Sequence, residues 1–97
     1  MANYVMLINF TEQGIQNFKD TQDRADAAAS RLEELGGKLK DIYWTVGPYD
    51  IVLAAEAPDD ETVTAFALEV SSLGNVRTTT LRAFDRDEIG AIIGKVS

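Results

Sequence analysis

Two segments of this chain are apolar on both of their alternating faces. In Tyr4–Phe10, the residues Tyr4, Met6, Ile8 and Phe10 share one face, while Val5 and Leu7 occupy the other. In the segment ending at Ala57, Ile51, Leu53, Ala55 and Ala57 oppose Val52 and Ala54. Strands of this type need cover on both sides. The chain has 97 residues, which is enough for one domain over residues 1–97.

The rest of the sequence supplies cover for one side. Ala25, Ala28, Ala29, Leu32 and Leu35 recur at helical spacing, and Gly36-Gly37 ends that segment. A helical turn over Ile15–Phe18 is expected before it, with Lys19, Asp20 and Thr21 as capping groups. Leu39–Val46 reads as a second strand, with Ile42, Trp44 and Val46 opposing Leu39 and Tyr43. Gly47-Pro48 then turns the chain into a third strand over Tyr49–Ala57, giving an antiparallel hairpin. Asp59 or Asp60 caps a second helix carrying Val63, Phe66, Ala67, Val70 and Leu73. Gly74 stops it, and Val76–Phe84 is a fourth strand. Asp85 and Glu88 form an Asp version of a capping box ahead of Ile89, Ile92, Ile93 and Val96, with Phe84 and Ile89 as its staple.

The order β-α-β-β-α-β is that of the ferredoxin-like α+β fold, an antiparallel sheet with helices on one side and here a short C-terminal helix. Its other face would remain apolar and wet in a monomer. Either the C-terminal helix covers part of that face, or a second copy does. We expect the second: a homodimer pairing as a dimeric α/β barrel, with higher oligomers open.

The functional classes narrow by absence. There is no His and no Cys, so thiolate, His-centred and nitrogen- or sulfur-ligated metal chemistry is excluded within one chain. The net charge of −7 disfavours nucleic acid and anionic membranes as partners. No spacing argues for a metal or a cofactor, and none is expected. No apolar run is long enough to span a bilayer. Met1-Ala2-Asn3-Tyr4 lacks a basic leader region, so a cytoplasmic address is expected.

At Gly47-Pro48-Tyr49-Asp50 the sequence resembles the GYD-domain family. The resemblance extends over Ile51-Val52-Leu53-Ala54-Ala55, Leu73-Gly74-Asn75-Val76-Arg77-Thr78, Gly14-Ile15 with Asn17, Tyr43-Trp44 and Leu81-Arg82-Ala83-Phe84. That family is in turn similar to the ligand-binding domain of leucine-responsive transcriptional regulators. The likeness implies dimers, rings of dimers, and amino-acid binding at interfaces near the hairpin Gly and Asp. This chain has no helix-turn-helix segment, so it implies no DNA role.

The candidate ligand-binding residues are Asn9, Lys19, Tyr43, Trp44, Gly47, Tyr49 and Asp50. Gly47 has a sufficient reading as a turn residue. Tyr49 is either a pocket ring or a dimer-core aromatic. Asp50 either accepts backbone or Thr hydrogen bonds or holds a ligand ammonium. Asn9 interrupts an apolar strand, so it ties backbone or faces a cavity. Tyr43 and Trp44 point to opposite faces. Lys19 lies in a loop that either crosses a sheet–helix cleft or is solvated. Arg77 and Arg82 fall on opposite faces of the fourth strand, placed to pair with an acid or meet an anion. No residue is nominated as catalytic. A cofactor-free enzyme of the dimeric-barrel monooxygenase or isomerase type would have only Asp50, Tyr43, Tyr49 and Lys19 for proton transfer, in a pocket lined by Asn9, Tyr43 or Trp44. The third class is a structural or partner-protein adaptor.

Overall fold

The computed structural model describes residues 1–96. Strand β1 spans Ala2–Phe10 and is followed by a short helix α1, Glu12–Gln16, and a 3-10 turn, Phe18–Asp20. Helix α2 is Thr21–Glu34, β2 is Lys38–Trp44, β3 is Ile51–Ala57, α3 is Asp60–Ser72, β4 is Val76–Ala83 and α4 is Arg86–Ile93. The four strands form one antiparallel sheet in the order β2-β3-β1-β4. The ferredoxin-like fold expected from the sequence is therefore the fold observed.

The helix-covered face carries the core. Met6, Ile8, Leu32, Ile51, Leu53, Ala55, Phe66 and Val76 are buried together, and Tyr4, Ala57 and Val63 form a second buried cluster. The Tyr4 hydroxyl donates to Asp60 Oδ1 at 2.5 Å, so the one polar side-chain atom of that cluster is satisfied. Asp59, not Asp60, caps α3 by accepting from the Thr62 backbone N–H at 2.8 Å.

Three local expectations are corrected. The helical turn near residue 15 begins earlier, because Thr11 caps it by accepting from the Gly14 N–H. Asp20 makes no side-chain cap at α2, since the 3-10 turn already leads the chain into that helix. Leu39 lies on the same face as Ile42, not opposite it. The β2–β3 register slips between Leu39 and Asp41, and that bulge shifts side-chain parity by one.

Helix α4 does not fold back over the sheet. Its capping box is complete, with Asp85 and Glu88 exchanging both bonds. Yet Phe84, Ile89, Ile92, Ile93 and Val96 all remain exposed, Ile93 by 62%. The chain measures 52 × 31 × 18 Å. Its radius of gyration of 14.5 Å exceeds the roughly 12.5 Å of a compact chain this long. Among the described residues, no helix is long and apolar enough to cross a membrane.

Candidate functional site: an open sheet face and a cavity behind it

Register places the open face residue by residue. Leu81, Val5, Ala54 and Asp41 lie in one row across the sheet. Thr79, Leu7, Val52 and Tyr43 lie in the next. Val5, Leu7, Val52 and Ala54 are only half-buried in the single chain, and Leu81 and Tyr43 are exposed. Polar groups bound this centre at both ends. Asn3, Glu56 and Lys38 share a row at one end, where Lys40 pairs with Glu56 at 3.4 Å and Asn3 donates to Glu88 of α4 at 2.7 Å.

At the other end, Asn9 pairs with Arg77 of β4. On its opposite flank Asp50 continues the β1–β3 pairing. The Asp50 N–H donates to the Ile8 carbonyl at 2.9 Å, and Asp50 Oδ2 accepts from the Phe10 N–H at 2.8 Å. Backbone register thus sets Arg77, Asn9 and Asp50 in one row at the hairpin end, while Arg77, on the edge strand, also lines a shallow pocket with Thr64, Ala67, Leu68 and Ser71 of α3. Among the described residues, the Asn9 side chain, the Arg77 guanidinium and Asp50 Oδ1 take no hydrogen bond. The half-buried Asn9 therefore follows neither a backbone tie nor a closed cavity; it looks out from the open face.

The hairpin is an exposed loop with a firm base. The Thr45 N–H donates to the Asp50 carbonyl at 2.8 Å, and the Thr45 hydroxyl to the Tyr49 carbonyl at 2.6 Å. Gly47 has φ +137°, a backbone state that favours glycine, and a Cβ there would meet nothing within 4 Å. Its conformation, not close packing, is the reason for glycine. Val46, Gly47 and Pro48 are exposed, and no residue of Gly47–Asp50 lines the cavity behind the sheet. Tyr49 is half-buried, and Lys19 is exposed in the 3-10 turn.

A cavity of about 350 Å³ lies on the opposite side of the sheet, between it and helices α2 and α3. Met6, Ile8, Leu53, Phe66 and Val70 make it apolar, while Ala25 and Ala28 of α2 leave it room. Asn9, Tyr43 and Trp44 do not line it. Asn9 and Tyr43 sit on the other face, and Trp44 is tied outside it, its indole N–H donating to the Thr21 hydroxyl at 3.0 Å. The catalytic pocket imagined around these three side chains is not the pocket the fold builds.

Arg24, absent from the sequence-based candidates, does line the cavity. Its Nη1 donates to the Asn17 carbonyl at 2.8 Å, and its Nη2 is enclosed without a partner. Arg82 has a structural role. It lies 4.5 Å over the Phe84 ring and 5.6 Å over Tyr4, and 3.8 Å from Glu88. It also donates to the Asn3 and Ala83 carbonyls. Among the described residues, no group of three or more acids is placed to hold a metal ion.

Against this geometry, the family assignment rests on nearly the whole chain. The model of the GYD domain matches residues 4–93. The chain belongs to the GYD-domain family. A relative of this GYD domain from Thermus thermophilus is 32% identical over 84 residues, covering 86% of this chain and 88% of that protein. It is named glutamine synthetase and cystathionine beta-lyase binding protein. The crystal structure of TTHA0845, also from Thermus thermophilus, matches with 28% identity and a TM-score of 0.56, over 88% of this chain and 95% of that one. The feast or famine regulatory protein from M. tuberculosis, complexed with L-methionine, matches with 16% identity and a TM-score of 0.57. That match covers 88% of the GYD domain but only 51% of the regulator, and it shows a shared fold.

Proposed function

We propose that this GYD domain is a homo-oligomeric binding module, paired through its open sheet face. The observation that carries this reading is the layout of that face: an apolar centre of Val5, Leu7, Val52, Ala54 and Leu81 between two polar ends. An apolar centre within a polar rim is the anatomy of a protein interface. The free apolar stripe on α4 supplies a second surface for the same partner.

A small amino-acid-like molecule fits the polar row at the hairpin end. Arg77 meets a carboxylate, Asp50 Oδ1 meets an ammonium, and Asn9 between them offers both a donor and an acceptor. In this reading the neighbouring subunit closes the site. The test is a thermal-shift screen of amino acids on the wild type, Asp50→Asn and Arg77→Gln. Stabilisation by a zwitterion that both variants lose supports the reading. Stabilisation that both variants retain, or none across the screen, counts against it.

A second reading has its own observation. The Thermus thermophilus relative carries the name of a protein that binds two enzymes. By that analogy the acidic chain is an adaptor that docks a partner protein through the α4 stripe. Loss of enzyme capture on Ile92→Ser, with the zwitterion response unchanged, would favour the adaptor.

A further inference from the structure

We propose that the outer edge of β4, with the flank of α3 beside it, accepts an extended segment of a partner protein as an added strand. That segment carries aliphatic side chains towards α3 and an acidic side chain near Arg77. The surface is distinct from the open face of the sheet and from the α4 stripe.

The two edges of the sheet are not alike. β2 and β4 are its outer strands. Bare backbone on an outer strand is a template for pairing, and proteins blunt it with lysines, prolines or bulges. β2 has such devices: Lys38, Lys40 and the register slip between Leu39 and Asp41. β4 has none of them. Its eight residues include no Lys, Pro or Gly. Its register with β1 runs unbroken from Asn3↔Ala83 to Phe10↔Val76.

The phase of the ladder shows which backbone groups are free. In an antiparallel pair, residues that bond to the neighbouring strand alternate with residues that face away. The Thr11 N–H donates to the Asn75 carbonyl, one step past the last β1–β4 pair. Arg77, Thr79 and Leu81 therefore bond to β1, and the N–H and C=O of Thr78 and Thr80 point outward. Among the described residues, no other backbone group takes them up. Thr78 and Thr80 lie opposite Ile8 and Met6, so their side chains share the helix-covered face.

Helix α3 builds a shallow groove along this edge. Ala67 and Ser71, one turn apart, line it together with Thr78 and Thr80. Leu68 supplies an apolar wall and is 68% exposed. The small side chains leave room for an aliphatic one. A free edge for main-chain bonds beside a pocket for alternate side chains is the arrangement by which domains bind peptides through strand addition.

Charge narrows the occupant. Among the described residues, Arg77 is the one ionised group lining the groove, and no acid lines it. An acidic side chain can meet that guanidinium without a competing carboxylate. A second β4 fits poorly: Val76–Ala83 contains Arg77 and Arg82 and no acid, so it would bring like charge. A partner segment with an acid fits instead.

Fluorescence anisotropy of the full chain with a labelled, end-capped peptide, Glu-Val-Thr-Val-Thr-Val-Glu, tests the proposal. Its order is the same in either direction, so strand orientation does not matter. Its valines share the face of Thr78 and Thr80, and their N–H groups point at β4. Saturable binding is expected at a dissociation constant on the order of 10–100 μM. N-methylation of the valines should weaken it about tenfold or more, whereas N-methylation of the threonines, whose N–H groups face away, should change it less than about threefold. Lys in place of both Glu should weaken binding, although the chain carries a net charge of −7. Thr78→Pro removes an outward N–H and no bond to β1, and should cost about tenfold or more in affinity. Ala67→Trp, which fills the groove, should abolish binding. Arg77, Asn9 and Asp50 are intact in both variants, so any zwitterion response at the hairpin row should persist. No peptide binding at millimolar concentration, equal weakening by the two methylation patterns, or tighter binding of the Lys peptide would overturn the proposal. Tighter binding of a peptide of residues 75–84 than of the Glu peptide would give the edge to a second copy and also overturn it. Should Thr78→Pro fail to fold, the methylated peptides still decide on the wild-type chain.

Discussion

The Asp50 carboxylate accepts a hydrogen bond from the backbone N–H of Phe10 at 2.8 Å, across 40 residues of sequence. This bond fastens the hairpin to the end of β1 and continues the sheet beyond its last paired residues. Oδ2 serves the fold, while Oδ1 takes no hydrogen bond among the described residues.

The structural role of Asp50 gives the first prediction. Asp50→Ala leaves the Phe10 N–H without its acceptor and is expected to destabilise the fold by about 1–3 kcal/mol. Asp50→Asn keeps an acceptor oxygen and should recover most of that loss. Urea unfolding of the three proteins at one fixed chain concentration measures both effects. Equal stability of Asp50→Ala and wild type would remove the structural role.

The second prediction concerns pH. Burial, then the hydrogen bond to Asp60 and that carboxylate's charge, push the Tyr4 phenol up to about 12, against a smaller opposing effect of Arg82. The unfolded phenol titrates near 10. Between these values the unfolded chain has lost a proton that the folded chain keeps, so stability falls as pH rises from about 10 to about 12. Below about pH 10 this contribution is fully present. Tyr4→Phe should therefore show a shallower loss of stability than wild type across that window, read from urea midpoints. Parallel declines in the two proteins would contradict the assignment.

The third prediction tests the close approach of α1 to the loop before β4. A Cβ on the buried Gly14 would lie 1.9 Å from the Asn75 carbonyl oxygen. That oxygen also accepts from the Thr11 N–H at 3.0 Å. Gly14→Ala must move backbone, and we expect a loss of about 1–3 kcal/mol in chemical unfolding. Gly47→Ala meets no such contact, so its smaller loss should come from φ alone.

Much of this architecture is legible in the residues. Period-2 and period-3.6 patterns locate the strands and the longer helices, and the Asp85–Glu88 spacing announces the α4 capping box found in the structure. The Gly47–Asp50 hairpin carries the family. Other features leave no local mark. No Gly or Pro signals the bulge beside Lys40, so the parity of Leu39 cannot be read by counting. Asp20 has the residue type of a helix cap, but the preceding 3-10 turn makes its side chain unnecessary. Arg24 reads as a solvated flank residue of an amphipathic helix. Its place on the cavity wall depends on tertiary structure: the Ala-rich side of α2 leaves space above the sheet, and the Asn17 carbonyl accepts from Nη1.

The central claim is that the open face of the sheet is covered by a second copy. Light scattering on the eluted protein at micromolar concentration measures this directly. We predict twice the chain mass of 10.6 kDa, falling to the single-chain mass in Val52→Lys, which puts a charge into the apolar centre. A wild-type mass of 10.6 kDa at that concentration would contradict the account.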